Sequence, residues 1–88
     1  MDRAKAIELL LKEGLDAKPR DWVMGETILV THKKFTGKTK SGISYMDRLL
    51  YLVERDDSWE IYFVTDNKTE EVELFTQALF QVKRYFED

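Results

Sequence analysis

Few residues in this chain are of the types and spacings that do chemistry. His32 is the sole histidine and there is no cysteine. The neighbours of His32 within Val30–Lys34 include no Asp or Glu, so no metal-ligating or proton-shuttling cluster forms locally. Gly37-Lys38-Thr39 has the ending of a phosphate-binding loop, but that motif needs a glycine five residues before its second glycine. His32 stands there, and an apolar strand pattern follows where a helix would have to meet the phosphate. Asp56 and Asp57 are adjacent carboxylates. Acids that share catalysis face each other across a substrate, whereas neighbours in a polar cluster act as turn formers. These residues predict no catalytic constellation, no metal site and no cofactor. The chain reads as a binding protein and not as an enzyme.

The stretch that must position everything else is Arg48 to Thr65, RLLYLVERDDSWEIYFVT. Two aromatic-rich apolar runs flank a polar centre, the pattern of a β-hairpin. With Asp56 and Asp57 in the turn, Leu50 faces Phe63, Leu52 faces Ile61 and Glu54 faces Trp59. Strand side chains alternate between faces, so Leu50, Leu52, Trp59, Ile61 and Phe63 share an almost wholly apolar side that belongs in a core. The other side carries Leu49, Tyr51, Val53, Glu60, Tyr62 and Val64. It is greasier than a solvated face usually is: either it meets a partner, or the Trp22–Met24 arm or the Lys34–Ser44 loop folds over it and hides it.

The remaining chain predicts the elements around this hairpin. Asp2 is an N-cap for a helix over Arg3–Glu13, with Ile7, Leu10 and Leu11 on one face and Gly14 as its stop. Asp16 to Asp21 reads as a polar connection holding the only proline, Pro19. Trp22-Val23-Met24 reads as an extended arm and Thr27–Lys33 as the first strand. Lys34–Ser44 is a turn-rich loop, Tyr45–Val53 the second strand and Trp59–Thr65 the third. Asn67 or Thr69 caps a second helix whose apolar face is Val72, Phe75, Leu79, Val82 and Phe86. The expected fold is α+β, a helix, a three-stranded antiparallel meander and a helix. Both helices lie on one sheet face in a two-layer sandwich, and residues 1–88 form a single domain.

That element order resembles the double-stranded RNA-binding domains, which grip phosphates with cations at the start of the second helix. Here Thr69-Glu70-Glu71-Val72-Glu73 carries the opposite sign, so no RNA-binding residue is carried over.

Charge narrows the partners. The formal net charge is −3, which argues against a dedicated nucleic-acid binder. Residues 54–73 hold Glu54, Asp56, Asp57, Glu60, Asp66, Glu70, Glu71 and Glu73 against Arg55 and Lys68 alone. The reading that follows is a small acidic module that masks or regulates a partner protein, in the manner of inhibitor and immunity proteins. Its contacts would be Leu49, Tyr51, Val53 and Tyr62, with Asp56, Asp57 and Glu60 supplying charge. The alternatives are nucleic-acid binding through Lys33, Lys34, Lys38 and Lys40, with Tyr51 and Tyr62 as a stacking platform, homodimerisation through the same open face, or a small enzyme or ligand carrier whose scattered residues line a concave pocket with at least two titratable side chains. The lack of cysteine, of a secretory leader and of a long apolar run predicts a cytoplasmic protein that does not enter a membrane.

Overall fold

The computed structural model describes residues 1–22 and 25–87. Across them the chain runs α1 (Arg3–Lys12), β1 (Leu15–Trp22), β2 (Gly25–His32), β3 (Leu50–Glu54), β4 (Trp59–Phe63), β5 (Lys68–Val72) and α2 (Phe75–Glu87). The five strands form one antiparallel sheet in the order β1-β2-β3-β4-β5. The fold is α+β, but the three-stranded meander expected from the sequence is the middle of a wider sheet. Two strands were hidden, and each has a physical reason.

The first is β1. Residues 16–21, expected as a polar connection, pair with β2 along their whole length. Leu15 and Ala17 turn inward and are buried, while Lys18 and Arg20 turn to water. Only the small Ala17 and the terminal Leu15 mark the apolar phase. Pro19 is tolerated because β1 is an edge strand. Of the expected Trp22–Met24 arm, Trp22 ends β1 and Val23 and Met24 lie outside the described residues.

The second is β5. Lys68–Val72, expected as the opening of the second helix, instead pairs with β4. Asn67 takes a left-handed conformation, φ 49°, to close the turn, a conformation asparagine adopts more readily than most residues. Val72, expected on the helix face, stands opposite Trp59 in the sheet. α2 therefore starts at Phe75, and a side chain of its own first turn ties down the backbone that leads into it. The Gln77 side-chain oxygen accepts from Glu73 N–H at 3.0 Å and Leu74 N–H at 2.9 Å. A glutamine reaching back in this way leaves no Ser, Thr, Asp or Asn at the cap to read.

The central hairpin has the register expected of it: Leu50↔Phe63, Tyr51↔Tyr62, Leu52↔Ile61, Val53↔Glu60 and Glu54↔Trp59. Tyr45–Asp47, expected within a strand, is a 3-10 turn capped by Ser44, and β3 starts only at Leu50. α1 begins at Asp2, whose carboxylate accepts from Lys5 N–H at 2.8 Å, and stops at Gly14, φ 83°.

Both helices cover the same side. Ala6 and Leu10 of α1 and Phe75, Ala78, Val82 and Phe86 of α2 form one core with Leu15, Ala17, Ile28, Val30, Leu50, Leu52, Trp59, Ile61 and Phe63. Trp59 meets Phe75 edge-on with 5.0 Å between ring centroids. Burial of each of the large fully enclosed side chains, Leu10, Leu50, Leu52 and Ile61 among them, contributes about 1.5–3 kcal/mol.

The segment between β2 and β3 folds toward the helices. Tyr45 stacks on His32 at 3.6 Å, and His32 in turn lies 6.1 Å from Phe86. The Arg48 guanidinium sits 4.2 Å over the Tyr85 ring. This segment is thereby anchored on the helix layer. With five strands and a second helix beginning at Phe75, the element order shared with double-stranded RNA-binding domains is absent.

Candidate functional site

The sheet face away from the helices is built by alternation from all five strands. Antiparallel register aligns its side chains in rows across the sheet. One row runs Lys18, Leu29, Tyr51, Tyr62, Thr69, and the next runs Arg20, Thr27, Val53, Glu60, Glu71. Leu49 and Val64 extend the face at one end, joined by a Val64 N–H to Leu49 C=O bond of 3.3 Å. Among the described residues no helix contributes to this face.

Its centre is nonetheless dry. Trp22 lays its indole across the face and meets Tyr51 with ring centroids 4.7 Å apart. Tyr51 is left 7 % exposed and Val53 2 % exposed. Thr27 lies between the two rings in the register and is wholly buried, its hydroxyl donating to the Arg20 carbonyl. Trp22 itself is 44 % exposed, so the outermost aromatic surface belongs to it. Leu29, Leu49, Tyr62 and Val64, on the same face, are half-buried. Tyr62 is held by its hydroxyl, which donates to Asn67 Oδ1 at 3.1 Å.

Charge is divided across this apolar centre. Arg20 lies on the β1 side, with Lys18 paired to Asp16 at 3.8 Å on the same face, and Glu60 and Glu71 lie on the β4–β5 side. Arg55 Nε donates to Glu60 at 2.9 Å, and that hydrogen bond, followed by the Glu60 charge, raises the Arg55 pKa. Arg20 and Glu71 make no ion pair among the described residues.

The sequence-derived contact residues are thus only partly brought together. Leu49, Tyr51, Val53, Glu60 and Tyr62 do share one face. Of these, Leu49 and Tyr62 have surface to offer, whereas Val53 and most of the Tyr51 ring lie beneath it. Asp56 and Asp57 are exposed in the β3–β4 turn, off the face. Trp22, Leu29, Lys18, Arg20 and Glu71 join the face because β1, β2 and β5 flank the hairpin. The alternation of Leu15 and Ala17 was the one sequence signal that would have placed β1.

The lysine loop lies at the opposite end of the sheet from the acidic turn, since β3 runs from one to the other. Lys33, Lys34, Lys38 and Lys40 are all exposed, as are Phe35, Ile43 and Met46. The loop is folded. Lys38 and Ser44 form a β-bridge, Thr39 N–H donates to Ile43 C=O at 2.8 Å, and the Thr39 hydroxyl accepts from Ile43 N–H at 3.1 Å.

His32 is tied into structure by its stack on Tyr45 and by Lys34 N–H donating to its Nδ1 at 3.0 Å. Among the described residues no three His, Asp or Glu side chains stand close enough to hold a metal ion. A hollow of about 400 Å³ opens near the N-terminus of α1, with Ile28, Leu52 and Trp59 beneath and Asp2, Arg3, Glu26, Glu54 and Arg55 around it. Comparison with known proteins finds no match among family models, curated proteins or solved structures. No helix of the described residues is long and apolar enough to cross a membrane.

Proposed function

We propose that this chain is a protein-binding module that acts by occupying a partner's surface, and that the contact is the helix-free sheet face. The observation that carries the reading is Trp22. A half-exposed tryptophan packs at an incline against the buried Tyr51 ring, on a face that also carries Leu29 and Tyr62 and holds unlike charges at its two edges. Large aromatic rings pre-ordered in this way are what binding hot spots are made of.

The sheet edges favour the face over strand addition. β1 carries Pro19, and β5 presents Lys68, Glu70 and Glu71, with Lys68 paired to Glu70 at 2.9 Å. Proline and charge are the devices that keep a sheet edge from pairing with another chain.

The test compares proteins captured from an extract of the source organism by the immobilised chain and by Leu29→Arg/Tyr62→Arg, after circular dichroism has shown that the variant folds. The expected result is a protein retained by the parent chain and lost by the variant. Identical captured sets would remove the face from consideration.

A further inference from the structure

We infer that the helix-free face is self-complementary and that two copies of this chain associate through it, with β1 of one copy lying over β5 of the other. The inference rests on the proposal that this face binds protein, and it names the occupant.

Two sheets that pack face to face as an isologous pair are related by a two-fold axis lying in the interface plane. An axis perpendicular to the strands would set β1 over β1. Arg20 and Glu71 would then stay on opposite edges of the interface and never meet. An axis parallel to the strands and passing over β3 reverses the strand order and keeps the rows. Arg20 of one copy then meets Glu71 of the other, and Leu29 meets Tyr62, because each pair shares a row on opposite sides of β3. Each contact occurs twice. Arg20 and Glu71, which have no ion-pair partner among the described residues of one copy, find one in the next. Aligned sheets cross at about 30°, and the long Arg20 side chain spans the offset that this introduces.

The area sets the strength. Five strands about 4.8 Å apart, paired over about six residues of about 3.4 Å each, give a face of roughly 500 Å². Stable interfaces bury about 800 Å² on each partner. The association is accordingly weak and reversible, in the micromolar to millimolar range, and a partner with a larger matching surface displaces it.

The charge pattern supplies its own test. Arg20→Glu and Glu71→Arg each place like charges opposite each other twice in the homodimer, and each weakens association about tenfold. An equimolar mixture of the two variants restores both pairs at once. Sedimentation velocity over a concentration series is run on the parent chain, each variant, the mixture and Tyr62→Arg, with thermal unfolding confirming that every variant folds. Support is a reversible dimer that Tyr62→Arg and each charge variant weaken and that the mixture recovers. A parent chain that stays monomeric to millimolar concentration overturns self-association. It leaves the protein-binding proposal to the extract comparison, which detects a partner of any kind. A dimer lost on Tyr62→Arg but indifferent to Arg20 and Glu71 overturns the β1-over-β5 arrangement. A dimer indifferent to all three substitutions uses another surface and overturns the inference.

Discussion

Trp22 and Tyr51 meet ring against ring, 4.7 Å apart and inclined by 46°, on the side of the sheet that neither helix covers. The pair lets a five-stranded sheet with helices on one side keep the middle of its other side dry. An aromatic pair contributes about 0.5–1.5 kcal/mol beyond the area it buries. Here it also shields Thr27 and Val53. Trp22→Ala should therefore cost about 1–2 kcal/mol in urea unfolding. Trp59→Ala, which empties a core site beside Phe75, should cost about 3–5 kcal/mol. Equal losses would mean that Trp22 is structural in the same sense as Trp59.

The same two tryptophans give an optical check, since the chain has no others. Trp22 is 44 % exposed and Trp59 is 5 % exposed. Acrylamide should quench Trp59→Phe, which keeps Trp22, far more strongly than Trp22→Phe, which keeps Trp59. Binding of any partner to the helix-free face should protect the first variant and leave the second unchanged.

The hairpin was legible in the sequence because both of its strands put large apolar residues in a two-residue period. β1 and β5 were not, and for different reasons. In β1 the inward positions after Leu15 are Ala17 and Pro19, too small or too unusual to announce a strand. In β5 the inward positions are Lys68, Glu70 and Val72. Phase is visible there at Val72 alone, and the lysine and glutamate satisfy each other at the sheet edge. The face was half legible for the same cause. Tyr51 and Tyr62 could be assigned to it from the hairpin, but the indole that covers Tyr51 arrives from a strand two places away. No periodicity within the hairpin encodes that.

Asn67 links the turn to the face. Its backbone is left-handed and its side chain accepts the Tyr62 hydroxyl. Asn67→Gly relieves the backbone and loses the hydrogen bond. Asn67→Ala loses the bond and strains the turn, and should be destabilised by about 1 kcal/mol relative to the glycine variant. Thermal unfolding of the two separates backbone strain from the tether. If alanine matches glycine, the left-handed turn has rearranged.

The four loop lysines should not make this chain a nucleic-acid binder. A stacking platform needs open rings, and Tyr51 lies beneath Trp22. The loop itself sits at the sheet end opposite the acidic turn and is fastened on the helix side through Tyr45. A labelled single-stranded oligonucleotide at low salt should show no shift with the parent chain. A shift that fades steeply with added salt and disappears in Lys38→Glu/Lys40→Glu would reverse this expectation.

Glu8 and Tyr85 have pKa values displaced in opposite directions. The ammonium groups of Lys5 and Lys12, each 3.4 Å from the Glu8 carboxylate, hold its pKa below the ordinary glutamate value, with Lys5 the larger influence. Its support of α1 is present above the unfolded glutamate pKa and is lost as pH falls through the lower folded value. Tyr85 moves the other way. Burial raises its pKa, against the opposing effect of the Arg48 guanidinium over its ring. The folded chain thus holds the Tyr85 proton more tightly than the unfolded chain does. That contribution is complete below the ordinary phenol range and is lost as pH rises through the folded Tyr85 value. Ultraviolet titration of the folded protein should show the Tyr85 phenol ionising late, and Tyr85→Phe should remove that step. Arg48→Met, which takes away the opposing cation, should push the step later still. An earlier step in Arg48→Met would mean that the ring loses its enclosure once the guanidinium is gone, and that Arg48 packs the site more than it polarises it.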